Sequence, residues 1–189
     1  MVGIPQARMG STRLPGTVLL PLLGQPLLAV LLDRLRPAQL VQSWVIATTD
    51  HAHDEAIENL ASAMGFACYR GHPEDCLDRY YHAAREYAAD HVVRLTADNP
   101  LVEAGFVDWV IEQYRQASPA CDYAPSGRSH TFPLVSRLKC FPLRNWRPHG
   151  EKTSPPAANT SPRSSTSIPS ASRSKSFGLT TTGLNCAGP

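Results

Sequence analysis

Val2-Gly3-Ile4-Pro5-Gln6-Ala7-Arg8-Met9-Gly10-Ser11-Thr12-Arg13-Leu14-Pro15-Gly16 is a short β-rich run that passes directly into a loop with two glycines, two arginines and two hydroxyls. A loop leaving a strand in this way lies at the strand's carboxyl end, where open α/β sheets bind ligands. Gly10 and Gly16 allow the backbone close to a ligand. Ser11 and Thr12 offer hydroxyls, and Arg8 and Arg13 bring fork-shaped cations suited to phosphate oxygens. The loop therefore reads as a triphosphate cradle, against the competing reading of a solvated arginine-bearing loop. It is not a Walker A loop, because five residues separate Gly10 from Gly16 and Thr17 stands where that motif needs lysine. Nor does it carry the Gly-x-Gly-x-x-Gly dinucleotide fingerprint.

Working outward, short β-rich runs alternate with helical patterns as far as about Tyr123, the signature of a parallel sheet with crossover helices. Strands are predicted at Val2–Gln6, Ser43–Thr48, Phe66–Arg70 and His91–Thr96, with a weaker one near Asp122. Leu27, Leu28, Leu31, Leu32 and Leu35 follow helical spacing, as do Ala56, Ile57, Leu60 and Met64, and Phe106, Val107, Val110, Ile111 and Tyr114. These stripes predict an α/β core of mostly parallel strands with helices on both faces. At 189 residues one domain is expected.

Beyond Leu134 the apolar periodicity vanishes and Ser, Pro, Thr and Arg dominate. The boundary is therefore drawn at 134, with 135–189 expected to be a disordered tail. Charge divides the same way: to Val135 there are ten Arg, no Lys and fifteen acidic residues, and from Ser136 eight basic residues against Glu151 alone. A basic tail attracts nucleic acid, but without aromatic interleaving or a recognisable module it predicts no specific nucleic-acid partner.

Five cysteines, with no Cys-x-x-Cys pair, read as reduced thiols rather than a disulfide framework or zinc site. The apolar stretch Val18–Leu32 is broken by Pro21, Gly24 and Pro26 and is shorter than the ~20 residues of a spanning helix, so no membrane segment is expected. With no secretory signal at Met1–Gly16, the expected location is cytoplasmic. His51 and His53, with Asp50 and Asp54, precede a helix and read as solvated caps rather than metal ligands.

The run Ile4–Leu20 resembles the signature loop of the cytidylyltransferases, and most of all that of their spore-coat polysaccharide branch, with the 3-deoxy-manno-octulosonate and acylneuraminate enzymes as relatives. The resemblance continues through Val45-Ile46-Ala47-Thr48-Thr49-Asp50, then Arg70-Gly71 and Glu74-Asp75-Cys76-Leu77-Asp78-Arg79-Tyr80-Tyr81. It extends to Val92–Leu101 and ends at Thr131-Phe132-Pro133, covering roughly residues 2 to 134.

The resemblance implies a Rossmann-like nucleotide-diphospho-sugar transferase fold, incomplete at its C-terminus. It also implies transfer of CMP from CTP to a sugar or sugar-acid hydroxyl, with release of pyrophosphate and with Mg2+ on the phosphates. By position in the motif, Gln6, Ala7, Arg8, Gly10, Ser11, Thr12 and Arg13 would hold the nucleotide, with Arg8 and Arg13 also catalytic. Ala47 and Thr48 would border the base, Asp78 and Arg79 would lie near the nucleotide, and Asp98 would ligate the metal. A homodimer contact is implied where the C-terminal part is intact.

Two departures bear on activity. Thr17 occupies the lysine position of the signature loop and cannot replace a cation there. After Pro133 the family's acidic strand is missing, and the composition is that of a high-GC coding sequence read out of frame, which predicts a frame shift near Leu134. The alternatives to an active cytidylyltransferase are a non-catalytic nucleotide-binding or interaction protein with a basic tail, and a sugar-1-phosphate nucleotidyltransferase using UTP or GTP.

Overall fold

A computed structural model describes residues 1–117, 124–125 and 138–145. Its centre is a six-stranded sheet. Four strands run parallel: β1 (Val2–Gln6), β4 (Ser43–Thr49), β5 (Ala67–Gly71) and β6 (His91–Thr96). β2 (Pro21–Leu22) and β3 (Gln25–Pro26) form a separate small hairpin, turned by Leu23 and Gly24 at φ 53° and 82°. Two positive φ values in a two-residue loop are what a twisted hairpin requires. β7 (Ala124–Pro125) and β8 (Lys139–Pro142) complete the sheet antiparallel, in the order β5-β4-β1-β6-β8-β7.

Alternation along the strands sorts the core into two layers. Ile46, Val93 and Leu95 point to one face, where α1 (Leu27–Leu35), α2 (Glu55–Ala63) and α4 (Ala104–Ala117) bury Leu28, Leu31, Ile57, Val107 and Ile111. Val2, Ile4, Val45, Ala47 and Val92 point to the other and meet Tyr80, Ala83 and Ala84 of α3 (Cys76–Glu86). Helices thus cover both faces, although the three apolar stripes read from the sequence all belong to the layer of α1, α2 and α4. Gly3 is required by packing: a Cβ there would lie 2.2 Å from the Trp44 ring.

The order β4-β1-β6 sets the position of the site. From β1 the chain crosses by α1 to β4 on one side, whereas β6, on β1's other flank, is reached from β5 by α3. The crossover direction therefore reverses between β1 and β6, and the carboxyl ends of these two strands form the crevice where such sheets take ligands.

Part of the segment 135–189, expected as a tail, belongs to the sheet. Lys139–Pro142 pairs with His91–Arg94, and Leu138, Cys140 and Phe141 are buried. Composition misses this strand because four residues beside a Ser- and Arg-rich stretch carry too little periodicity to register. Residues 146–189, Thr131-Phe132-Pro133 and Asp122 lie outside the described residues; the weak strand expected near Asp122 has its counterpart two residues on, in β7. Among the described residues no helix is long and apolar enough to cross a membrane. Cys68, Cys76 and Cys140 are free thiols, and burial raises the pKa of Cys68 and Cys140 to about 12.

Candidate nucleotide site

At the end of β1 the backbone remains tied to both neighbours: Ala7 donates its N–H to the Ala47 carbonyl at 3.0 Å, and Ala97 donates to the Gln6 carbonyl at 2.9 Å. The loop then folds around one residue. The Met9 carbonyl accepts from Ser11 and Gly16, each at 2.9 Å, and the Met9 N–H donates to Asp54 Oδ1 at 2.7 Å. Gly16 adopts φ 70°, a left-handed turn that side chains rarely tolerate, and from it the chain enters a short 3-10 helix, Thr17–Leu19, that drops Val18 into the core. The Thr17 hydroxyl donates to the Leu14 carbonyl.

These constraints leave a cavity of about 250 Å³ over the switch point. Gln6 and Arg8 line it from the end of β1, and Ser11, Thr12 and Arg13 from the loop. Thr96 and Asp98 face it from the end of β6, while Thr17 and Val18 close it below. Neither Arg8 nor Arg13 is in an ion pair among the described residues, and both are exposed. Gln6 is fixed in place by Cys76, whose thiol donates to Gln6 Oε1 at 3.0 Å. Two guanidinium groups, four hydroxyls from Ser11, Thr12, Thr17 and Thr96, and one carboxylate around one opening suit a polyphosphate with a hard cation.

Six of the twelve residues singled out by sequence thus share one cavity: Gln6, Arg8, Ser11, Thr12, Arg13 and Asp98. The others stand around it. Gly10 lines a neighbouring cavity of about 120 Å³ that also uses Arg8, with Thr49, His51, His53, Asp54, Pro73 and Glu74. Ala7 and Ala47 are buried, and their contribution is the backbone bond that joins them. Thr48 is fully buried, with a hydroxyl that has no partner. Asp78 pairs with His82 at 3.1 Å on the surface of α3 and lines neither cavity.

Arg79 is fully buried, and one end of its guanidinium donates to the carbonyls of His72 and Pro73, the latter at 3.3 Å. Its Nε and Nη2 have no partner. A buried cation with two idle donors is costly unless an acceptor reaches it.

Sequence reasoning missed Thr96 and Thr49, whose positions at strand ends were the available signal. It also set aside the His51–Asp54 group. The solvated-cap reading holds for none of this group's function at Asp54: that carboxylate is fully buried and makes no bond to the helix it precedes. His51 and His53 are exposed, with rings stacked 5.1 Å apart at the rim of the smaller cavity. Among the described residues no group of three or more His, Cys, Asp or Glu is arranged to hold a metal. Asp98 alone offers a hard carboxylate in the larger cavity. That donor set fits magnesium, which takes one or two carboxylates and completes its shell with substrate phosphates and water.

A mostly parallel α/β sheet with an arginine-lined cavity at its switch point is the nucleotidyltransferase fold. The family model described as Cytidylyltransferase matches residues 2–138. The chain belongs to the cytidylyltransferase family. It is similar to the spore coat polysaccharide biosynthesis protein SpsF of Bacillus subtilis, 40% identical over 115 residues, which are 59% of this chain and 48% of that protein. It is also similar to the 3-deoxy-manno-octulosonate cytidylyltransferase of Pelobacter propionicus, 34% identical over 137 residues, 71% of this chain and 49% of that enzyme. A solved cytidylyltransferase structure from Leptospira borgpetersenii superposes with a TM-score of 0.72 at 32% identity, covering 76% of this chain and 60% of that one. The chain spans about half the length of these curated relatives.

Proposed function

We propose that the chain binds CTP with magnesium in the cavity at the ends of β1 and β6 and carries the CMP-transfer half of a nucleotide-sugar synthesis. The acceptor hydroxyl oxygen attacks the α-phosphorus, the bond from that phosphorus to the bridging oxygen of the β-phosphate breaks, pyrophosphate leaves, and the hydroxyl proton passes to solvent. Such a transfer needs charge neutralisation and in-line positioning more than covalent help. Arg8 and Arg13 neutralise phosphate charge from opposite ends of the loop, and Ser11 and Thr12 hydrogen-bond the remaining oxygens. Asp98 holds the metal, whose contribution when bound is charge neutralisation on the phosphates.

The base lies toward Ala47 and Thr48. The Arg79 Nε and Nη2 and the Thr48 hydroxyl are buried polar groups still without an acceptor or donor partner. The acceptor is a sugar or sugar acid, as in the relatives' names, and the location is cytoplasmic, a reading that the free thiols Cys68, Cys76 and Cys140 support. A homodimer belongs to the same reading.

The observation that carries this reading is the convergence of Arg8, Arg13 and Asp98 on one cavity. The experiment is the thermal shift of the 189-residue chain with CTP, UTP, GTP and ATP, each with and without magnesium. At a hundred times its dissociation constant the preferred nucleotide stabilises the fold by about 2.7 kcal/mol. Magnesium-dependent stabilisation selective for CTP supports the proposal, and equal response to all four nucleotides, or to none, defeats it.

A further inference from the structure

We propose that Asp54 is the positioning residue of the phosphate loop. It holds Met9, and through Met9 it holds the bend that presents Arg8 and Ser11 to Arg13. The inference rests on the reading of that loop as a phosphate site.

The first observation is what Asp54 does not do. It stands at the N-cap of α2, where an aspartate ordinarily accepts a hydrogen bond from its own helix, yet its side chain makes no such bond. The carboxylate turns instead toward a segment 45 residues away, where Oδ1 accepts the Met9 N–H at 2.7 Å. Oδ2 accepts the Thr49 hydroxyl, and the Thr49 oxygen in turn accepts the His51 N–H at 3.3 Å. His53 Nε2 lies 3.6 Å from Oδ1. Asp54 is fully buried, and a carboxylate is expensive to bury unless its bonds compensate.

The second observation is what Met9 does with the anchorage. Its peptide is the centre of the loop, since its carbonyl gathers the Ser11 and Gly16 N–H groups at 2.9 Å each. A charge-assisted bond of 2.7 Å to the same residue therefore fixes both arms of the bend. Arg8 and Gly10 flank Met9, so the directions of the arginine and of the hydroxyl-bearing arm follow from this one contact. Asp54 touches no part of the larger cavity, and its effect on phosphate passes through Met9.

The test compares the full chain with Asp54→Ala, Asp54→Asn and Thr49→Val by amide hydrogen exchange and by CTP and cytidine binding. Asp54→Ala is expected to speed exchange at Met9, Ser11 and Gly16 at least about tenfold while Ile4, Val45 and Val93 keep their protection. CTP binding should weaken on the order of tenfold or more with cytidine binding little changed, the scale of one lost hydrogen bond to a charged group. Asp54→Asn retains an oxygen for the Met9 N–H and should restore most of both, and Thr49→Val should leave the Met9 amide slow.

A merely structural role would move protection across the core and would not separate CTP from cytidine. If Asp54→Ala also loses core protection, Asp54→Ser, which caps α2 but is too short to reach Met9, makes the same comparison. The proposal is overturned if core protection is native and the three loop amides exchange at the wild-type rate. If the wild-type chain binds no CTP, the exchange measurements still decide the anchorage and only the nucleotide reading falls.

Discussion

Ala97 gives its amide hydrogen to the carbonyl of Gln6 at 2.9 Å, and this bond levels the ends of β6 and β1 so that the residues beyond them, Arg8 and Asp98, open onto the same cavity. The guanidinium side and the carboxylate side of the cavity thus come from strands that are neighbours in space but some 90 residues apart in sequence. Asp98 is exposed and packs against nothing in the core, so Asp98→Asn should leave the nucleotide-free melting curve within about 0.5 kcal/mol of wild type. The same change should weaken magnesium-dependent binding of CTP by about 10- to 100-fold, because a neutral amide is a poor substitute for a hard anionic ligand. Calorimetric titration of CTP with and without magnesium measures both. A variant as responsive to magnesium as the wild type would remove Asp98 from the metal site.

Thr17 lines the cavity floor at the position where the resembling loops carry lysine, and it holds no charge for the phosphates. Thr17→Lys should tighten CTP binding roughly tenfold or more, the value of one added charged hydrogen bond, and steepen its salt dependence. Titrations at two salt concentrations check this. An unchanged affinity would mean that the lysine position does not face the phosphates in this chain.

How much of this was legible in the sequence depended on range. The strand-loop unit Val2–Gly16 is local: its glycines, arginines and hydroxyls lie within fifteen residues, and a cavity opens beside them at the end of β1. The hairpin at Pro21–Pro26 was hidden, because two-residue strands carry no period. Asp54 was misread for a physical reason. Ser, Asn and Asp before a helix usually bond locally, and only the tertiary fold determines that this carboxylate reaches Met9 instead. Asp78 and Arg79 are adjacent in one motif yet diverge, since successive residues on a helix point about 100° apart: one is half-buried at the helix surface and the other fully buried.

Gly3 gives a stability prediction independent of any ligand. Its missing side chain leaves room for the Trp44 ring, which an added Cβ would meet at 2.2 Å. Gly3→Ala should destabilise the fold by about 1–3 kcal/mol, as overpacking in a closed core does. The urea midpoint should fall with the slope unchanged. In a Trp44→Leu background the cost of the same alanine should largely disappear, and a persisting cost would point to backbone strain in β1.

His91 predicts the acid side of the stability profile. Its Nδ1 lies 2.9 Å from the Tyr114 hydroxyl, and burial lowers its pKa below the ordinary value of 6.5, aided by the N-terminal ammonium, Arg144 and Arg115 and opposed by Asp90. A histidine harder to protonate when folded binds fewer protons in the native state than in the unfolded one. Its contribution is therefore complete above pH 6.5 and is lost as the pH falls through that value toward the lower folded one. Melting temperature should decline between about pH 7 and pH 5, and His91→Gln should flatten the decline. A wild-type profile unaffected by the substitution would assign the acid loss to other groups.

The strand Lys139–Pro142 is where the reading-frame prediction meets the fold. Read one nucleotide earlier, the codons of Lys139 and Cys140 can specify only Met or Val followed by Phe or Leu, whatever their third bases. With G at the third positions of Ser136 and Leu138, and an AGR codon for Arg137, glutamate falls at 137 and 139. With AGG for Arg137, TTG for Leu138, AAG for Lys139 and TGT for Cys140, the earlier frame reads Glu-Val-Glu-Val-Phe across 137–141, an acidic and apolar alternation of period two, in place of Arg-Leu-Lys-Cys-Phe. Such a segment would keep apolar residues over Leu138 and Cys140, both buried here, while Lys139, which is only half-buried beside Arg94, would become acidic. Sequencing the coding DNA from codon 130 to codon 145 decides the matter. Bases that give an acidic residue at 137 or 139 in the earlier frame would make restoration of that frame, together with Thr17→Lys, the expected route to a fully competent site. Bases that give none in either alternative frame would mean that the antiparallel strand is native as written, and that the carboxylate of the cavity is Asp98 alone.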